Sequence, residues 1–117
     1  MRDFGPANRL LIEQRVLAGD HPDLTHRVQH FCYFANQHMA QAAETAFRAA
    51  GYDTLVLTRP LKSQILVMHY QRIGVAAMNQ VCQDISALTE QFDGEYGGWD
   101  SPIMSTDQVL EDSSVSN

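Results

Sequence analysis

A chain of 117 residues holds one domain, and its apolar fraction of 44% is ordinary for a folded one. The formal net charge is −6 and the eight basic residues are scattered, which opposes binding to a phosphate backbone and points to basic protein partners. No apolar run approaches the roughly 20 residues of a membrane span, and Met1-Arg2-Asp3-Phe4-Gly5-Pro6 has no apolar leader segment, so a cytoplasmic protein is expected.

Residues 6–18 read as a first helix, with Pro6 in its first turn and Gly19 just past its end. Leu10, Gln14 and Leu17 fall on one side, with Ile12 and Val16 beside them. Gly19 to Asp23 is a turn. Residues 25–34 alternate as a strand: Val28, His30, Cys32 and Phe34 against Gln29, Phe31 and Tyr33. Bulky residues in both sets predict a central position in a sheet. Asn36 then caps a helix whose inner face is Met39, Ala43, Ala46, Phe47 and Ala50, stopped by Gly51.

Thr54 to Thr58 is a short β-rich run, and Arg59-Pro60-Leu61-Lys62 breaks it, because proline cannot serve a central ladder. Ser63 to Ile73 resumes as a strand, with Ile65, Val67 and His69 on one side and Leu66, Met68 and Tyr70 on the other. The two runs form a hairpin. Gly74 opens the last helix, whose stripe is Met78, Val81, Cys82, Ile85, Leu88 and Phe92. The stretch Phe92-Asp93-Gly94-Glu95-Tyr96-Gly97-Gly98-Trp99-Asp100 reads as a helix stop at Gly94 followed by a short strand. Regular extension would send Tyr96 and Trp99 to opposite sides, and a bulge at Gly97-Gly98 would bring them closer. Both rings are expected over the last helix. Residues 105–117 have no pattern and read as a flexible tail.

This order is a helix followed by βαββαβ. It predicts an α+β domain of the ferredoxin-like kind, a four-stranded antiparallel sheet with two helices on one face.

Motifs for chemistry are lacking. No Cys-x-x-Cys occurs, and His26 and His30, four apart on one strand face, are too far separated for easy joint ligation of one ion; no phosphate loop, dinucleotide fingerprint or Gly-x-Ser-x-Gly occurs. Asp93 and Glu95 read as a solvated turn rather than an acid–base pair. Cys32 and Cys82 read as free buried thiols. No catalytic residue, metal ligand or cofactor is expected. Convergence of His30, His69 and Cys82 on a polar pocket would argue for an enzyme. The candidate contact residues are Glu95, Tyr96, Trp99, Asp100, Tyr33 and Tyr70, since Trp and Tyr anchor protein interfaces. An aromatic sheet face would resemble an RNA-binding one, but the acidic balance opposes that use.

Val28-Gln29-His30, Ala42-Ala43 with Ala46-Phe47-Arg48, Gly51-Tyr52 and above all Phe92-Asp93-Gly94-Glu95-Tyr96-Gly97-Gly98-Trp99 resemble the RraB family of ribonuclease E regulators. The resemblance covers roughly residues 24–104 and divides the chain into an N-terminal helix and linker (1–22), an RraB-like domain (23–104) and the tail. It implies a cytoplasmic, non-catalytic protein that binds a ribonuclease E-like endoribonuclease and lowers its activity, without touching nucleic acid or membrane. The alternative is a general interaction or dimerisation module with another partner, including a homodimer. The family's long acidic extensions are not matched, since the tail has only Asp107, Glu111 and Asp112 as acids.

Overall fold

In the computed structural model, which describes residues 2–58 and 62–104, the chain runs α1 (Gly5–Leu17), β1 (Thr25–Phe34), α2 (Gln37–Ala49), β2 (Asp53–Thr58), β3 (Ser63–Arg72), α3 (Val75–Gln91) and β4 (Glu95–Asp100). The tail at 105–117 and the break at Arg59-Pro60-Leu61 lie outside the described residues. The architecture is α+β: one four-stranded antiparallel sheet of order β2-β3-β1-β4 and three helices. The division at residue 22 falls between α1 and β1.

Local chemistry places the helix ends. The Asn36 side chain accepts from Met39 N–H at 2.9 Å, and Gly51 past the end of α2 has φ +97°. Gly19 after α1 has φ +100°. The end of α3 differs from expectation: the left-handed residue is Asp93 (φ 57°), not Gly94. Gly94 is needed for space instead. A Cβ there would lie 2.4 Å from the ring of Phe34.

Alternation along β1 and β3 sorts the sheet into two faces. Val28, His30, Cys32 and Phe34 join Ile65 and Val67 in a core that α2 closes with Ala40, Ala43 and Phe47 and α3 closes with Met78, Cys82 and Ile85. At the end of the α3 stripe Leu88 and Phe92 pack partly buried against the core, and Thr89 beside them is fully buried. Its hydroxyl donates to Ile85 O at 2.7 Å and lies 3.3 Å from Cys32 Sγ. Strand β1 is central as expected, with β3 beside it, and among the described residues no helix lies over their second face.

Helix α1 packs beside α3 with an unexpected side inward. Asn8, Ile12 and Arg15 are buried, while Leu10 and Leu17 are 57% and 88% exposed. Polar anchoring overrides the weak apolar pattern. Arg15 Nε donates to Asp20 at 2.8 Å, and its Nη2 donates to the carbonyls of Ser101 and Pro102. Asp20 also meets His26 Nε2 at 2.7 Å and accepts from the N–H groups of His21 and Met104. One buried carboxylate thereby fastens the end of α1, the start of β1 and the segment after β4. Burial alone would raise its pKa, but the donors from His26, Met104 and Arg15 outweigh that and hold it below the ordinary value.

Candidate functional site

The nine-residue stretch decides what each sheet face carries. Register in β4 shifts between Phe31 and Cys32, so Tyr96 pairs with Cys32, Gly98 with Phe31 and Trp99 with His30. One extra residue at Gly97-Gly98, with Gly98 at φ +114°, turns Tyr96 and Trp99 to the same, helix-covered side. The rings then take different partners. Tyr96 reaches α3, its hydroxyl 3.4 Å from Cys82 Sγ, as expected. The indole of Trp99 reaches α1 instead, donating to Asn8 Oδ1 at 2.9 Å with Arg15 over its ring.

His30, His69 and Cys82 do converge. His30 Nδ1 lies 2.8 Å from Tyr96 Oη, and His30 Nε2 lies 2.9 Å from His69 Nε2. The two imidazoles are nearly parallel with centroids 5.0 Å apart. Face-stacked rings could not bring two atoms this close, so the rings meet end to end. Their lone pairs then point at each other rather than at a shared ion, and the pair shares one proton. A consistent set of donors runs from His69 through His30 and Tyr96 to Cys82. Burial, with His69 second, pushes the His30 pKa down to about 3, and burial also lowers that of His69. Burial pushes the Cys32 thiol up to about 11 and raises that of Cys82. A buried His30, a partly buried His69 and two protonated buried thiols make a hydrogen-bonded cluster, not an activated nucleophile. Among the described residues no group of three or more His, Cys, Asp or Glu is placed to hold a metal ion.

Among the described residues no helix covers the other face of the sheet. Tyr33, Tyr70, Glu95 and Asp100 lie on it, while Tyr96 and Trp99 do not, so the six candidates divide four to two. Cross-strand register sets its rows. Leu55, Leu66 and Phe31 stand opposite one another and end at Gly98. On one side Met68 and Gln29 lie between Asp53 and Asp100; on the other, Gln64 and Tyr33 lie between Leu57 and Glu95. Gly97 gives the Tyr33 ring room, since a Cβ there would come within 2.4 Å of it. Lys62 sits over the same ring, 5.0 Å from its centroid. Tyr70 is 68% and Leu55 48% exposed, and Arg27 at the far end contacts Met68 Sδ at 3.1 Å. Sequence reasoning missed Leu55, Leu66 and Phe31 as part of this surface. Their alternation was visible, but a two-sided apolar strand resembles a fully buried one until the helices are placed.

These features define a small α+β domain with a hydrogen-bonded polar cluster turned inward and one sheet face of mixed apolar and charged side chains turned out. Residues 6–101 match the model of the RraB family, regulator of ribonuclease activity B, and the chain belongs to that family. No curated protein matches the chain. No helix among the described residues is long and apolar enough to cross a membrane.

Proposed function

We propose that this chain is a non-catalytic, cytoplasmic regulator that binds a ribonuclease E-type endoribonuclease and lowers its activity by contact, without binding RNA itself. Family membership over residues 6–101 carries the reading. The net charge of −6 and the closed state of the histidines and thiols support it. The strand order and the layer formed by α2 and α3 support assigning the βαββαβ part to the ferredoxin-like arrangement. Tyr33, Tyr70, Glu95 and Asp100 are the proposed contact residues, with Tyr96 and Trp99 shaping the strand that carries two of them. The test is co-purification with ribonuclease E joined to an RNA cleavage assay. Association with slowed cleavage is expected; neither association nor any change in cleavage would refute it. The second reading, an interaction module with another partner or a homodimer, draws on the exposure of Tyr70 and Leu55. Sedimentation distinguishes the homodimer.

A further inference from the structure

The two edges of the sheet are treated differently. On β4 a bulge interrupts the ladder, and Glu95 and Asp100 charge the strand. Side chains also hold its carbonyls: Arg2 Nη1 donates to Tyr96 O at 3.0 Å, and Arg15 Nη2 donates to Ser101 O just past its end at 2.8 Å. Bulges, charges and covering groups are what keep an edge from pairing. Strand β2, the other edge, is bare by comparison. Its ladder to β3 runs in unbroken register from Asp53 opposite Met68 to Thr58 opposite Ser63, and Asp53 at its first position is its only charged residue. Among the described residues no hydrogen bond from any element but β3 reaches the main chain of β2; Arg48 and Glu44 of α2 touch only the Thr54 hydroxyl.

The sequence of this bare edge reads the same in both directions about Val56: Thr54-Leu55-Val56-Leu57-Thr58. We infer that the chain pairs with a second copy of itself along β2, antiparallel about Val56, into one continuous eight-stranded sheet. An antiparallel partner runs backwards, so a palindromic strand meets its own copy like to like. Val56 faces Val56, Leu55 faces Leu57 and Thr54 faces Thr58. Opposed residues share a face, so the leucines meet on the side without helices, while Val56 and the threonines meet on the side of α2. Centring the pair on Leu55 instead would set Asp53 against Leu57 and Thr54 against Val56. Charge allows the Val56 register. Each copy carries −6, but the two Asp53 carboxylates stand six positions apart along the seam, about 20 Å, beyond a screening length of about 8 Å. An extended segment of another protein would find the same main-chain groups, but nothing in its sequence need match the palindrome. The contact is two-fold and self-complementary, and five opposed positions make it small, so the dimer is weak and concentration-dependent.

The inference makes no use of the regulatory reading, and a monomer would leave that reading standing. The test is sedimentation equilibrium of the full chain from about 0.01 to 1 mM. The average mass should rise from 13.1 kDa toward twice that value. Amide shifts of labelled chain on dilution over the same range should be confined to β2 and its neighbours. Leu55→Lys and Leu57→Glu should each weaken association by about tenfold or more, since a charge on an edge opposes pairing. An equal mixture of the two variants should associate again, because the register sets position 55 against position 57. Leu17→Lys, on the exposed side of α1, should leave the dimer unchanged. Circular dichroism melts confirm folding, and if either β2 variant fails to fold the dilution shifts decide. A monomer throughout the range, dilution shifts away from β2, a dimer that neither β2 variant weakens, or a mixture that stays monomeric would overturn the inference.

Discussion

His30 has no exposed surface and shares a proton with His69, so acid enters this core only against a cost. Its folded pKa of about 3 lies below the unfolded value near 6.5. Between those limits the unfolded chain binds the extra proton and the folded one does not. Stability must therefore fall as pH falls below about 6.5, by up to about 1.4 kcal/mol per pH unit. His69 is lowered too and acts in the same direction. Asp20 is a depressed carboxylate whose stabilisation is lost only as pH drops below about 4, so the two effects separate. Denaturant titrations between pH 6.5 and 5 should show a shallower slope for His30→Gln than for the wild type; equal slopes would refute the shared-proton account. Trp99 calls for a revised magnitude. A fully buried indole lost to alanine costs about 3–5 kcal/mol, but this ring is only partly buried, so Trp99→Ala should cost less than that. Trp99→Phe removes the donor to Asn8 and should cost about 1 kcal/mol in the same titration. Gly94→Ala should destabilise by about 1–3 kcal/mol, because the added methyl overlaps the Phe34 ring.

At the scale of elements, the strands were more legible than their surroundings. The boundaries of β1 follow from alternation alone, and Asn36 with Gly51 brackets α2 by capping chemistry that needs no tertiary partner. Helix α1 was misread on one point, its inner side. Its apolar residues suggest Leu10 and Leu17, yet Asn8 and Arg15 are buried, because their partners Asn79, Trp99 and Asp20 lie on other elements or beyond the helix end. Such pairings have no periodicity and leave no trace in a helical pattern. The same holds for the meeting of His30 with His69, residues on separate strands brought together by register. Asp20→Asn tests how much these polar ties hold. It leaves the buried Arg15 guanidinium with only the exposed Asp100 carboxylate at 3.8 Å, and a loss of about 3–5 kcal/mol is expected in chemical denaturation. Loss of protection in amide exchange should concentrate at α1, the start of β1 and residues 101–104, where the carboxylate's donors lie.

For the whole molecule, charge and layering act together. Helices α2 and α3 cover one side of the sheet and, among the described residues, none covers the other, so that face is left for contact while His30, Cys32 and Cys82 are buried. Family membership was legible because the Trp-containing stretch is compact and local. The open face was legible only in part. Tyr33 and Tyr70 were visible from strand parity, whereas Leu55 and Phe31 needed the sheet order to fall beside each other. If the acidic edges attract the partner, association should weaken as salt rises from 0.05 to 0.5 M, as screening lengths shrink from above about 10 Å to a few ångströms. Surface plasmon resonance at several ionic strengths would show this as a slower on-rate with little change in off-rate.

The doubled glycine in β4 works as a reading-frame device for side-chain direction. Delete Gly97 or Gly98, and the extra residue goes together with its bulge: Tyr96 and Trp99 become next-but-one neighbours on a regular strand and keep one side, and Asp100 keeps the other. A strand of the present length without the bulge is what would turn the indole outward and the Asp100 carboxylate in, so side-chain direction here tolerates the loss of one codon better than the loss of the bulge alone.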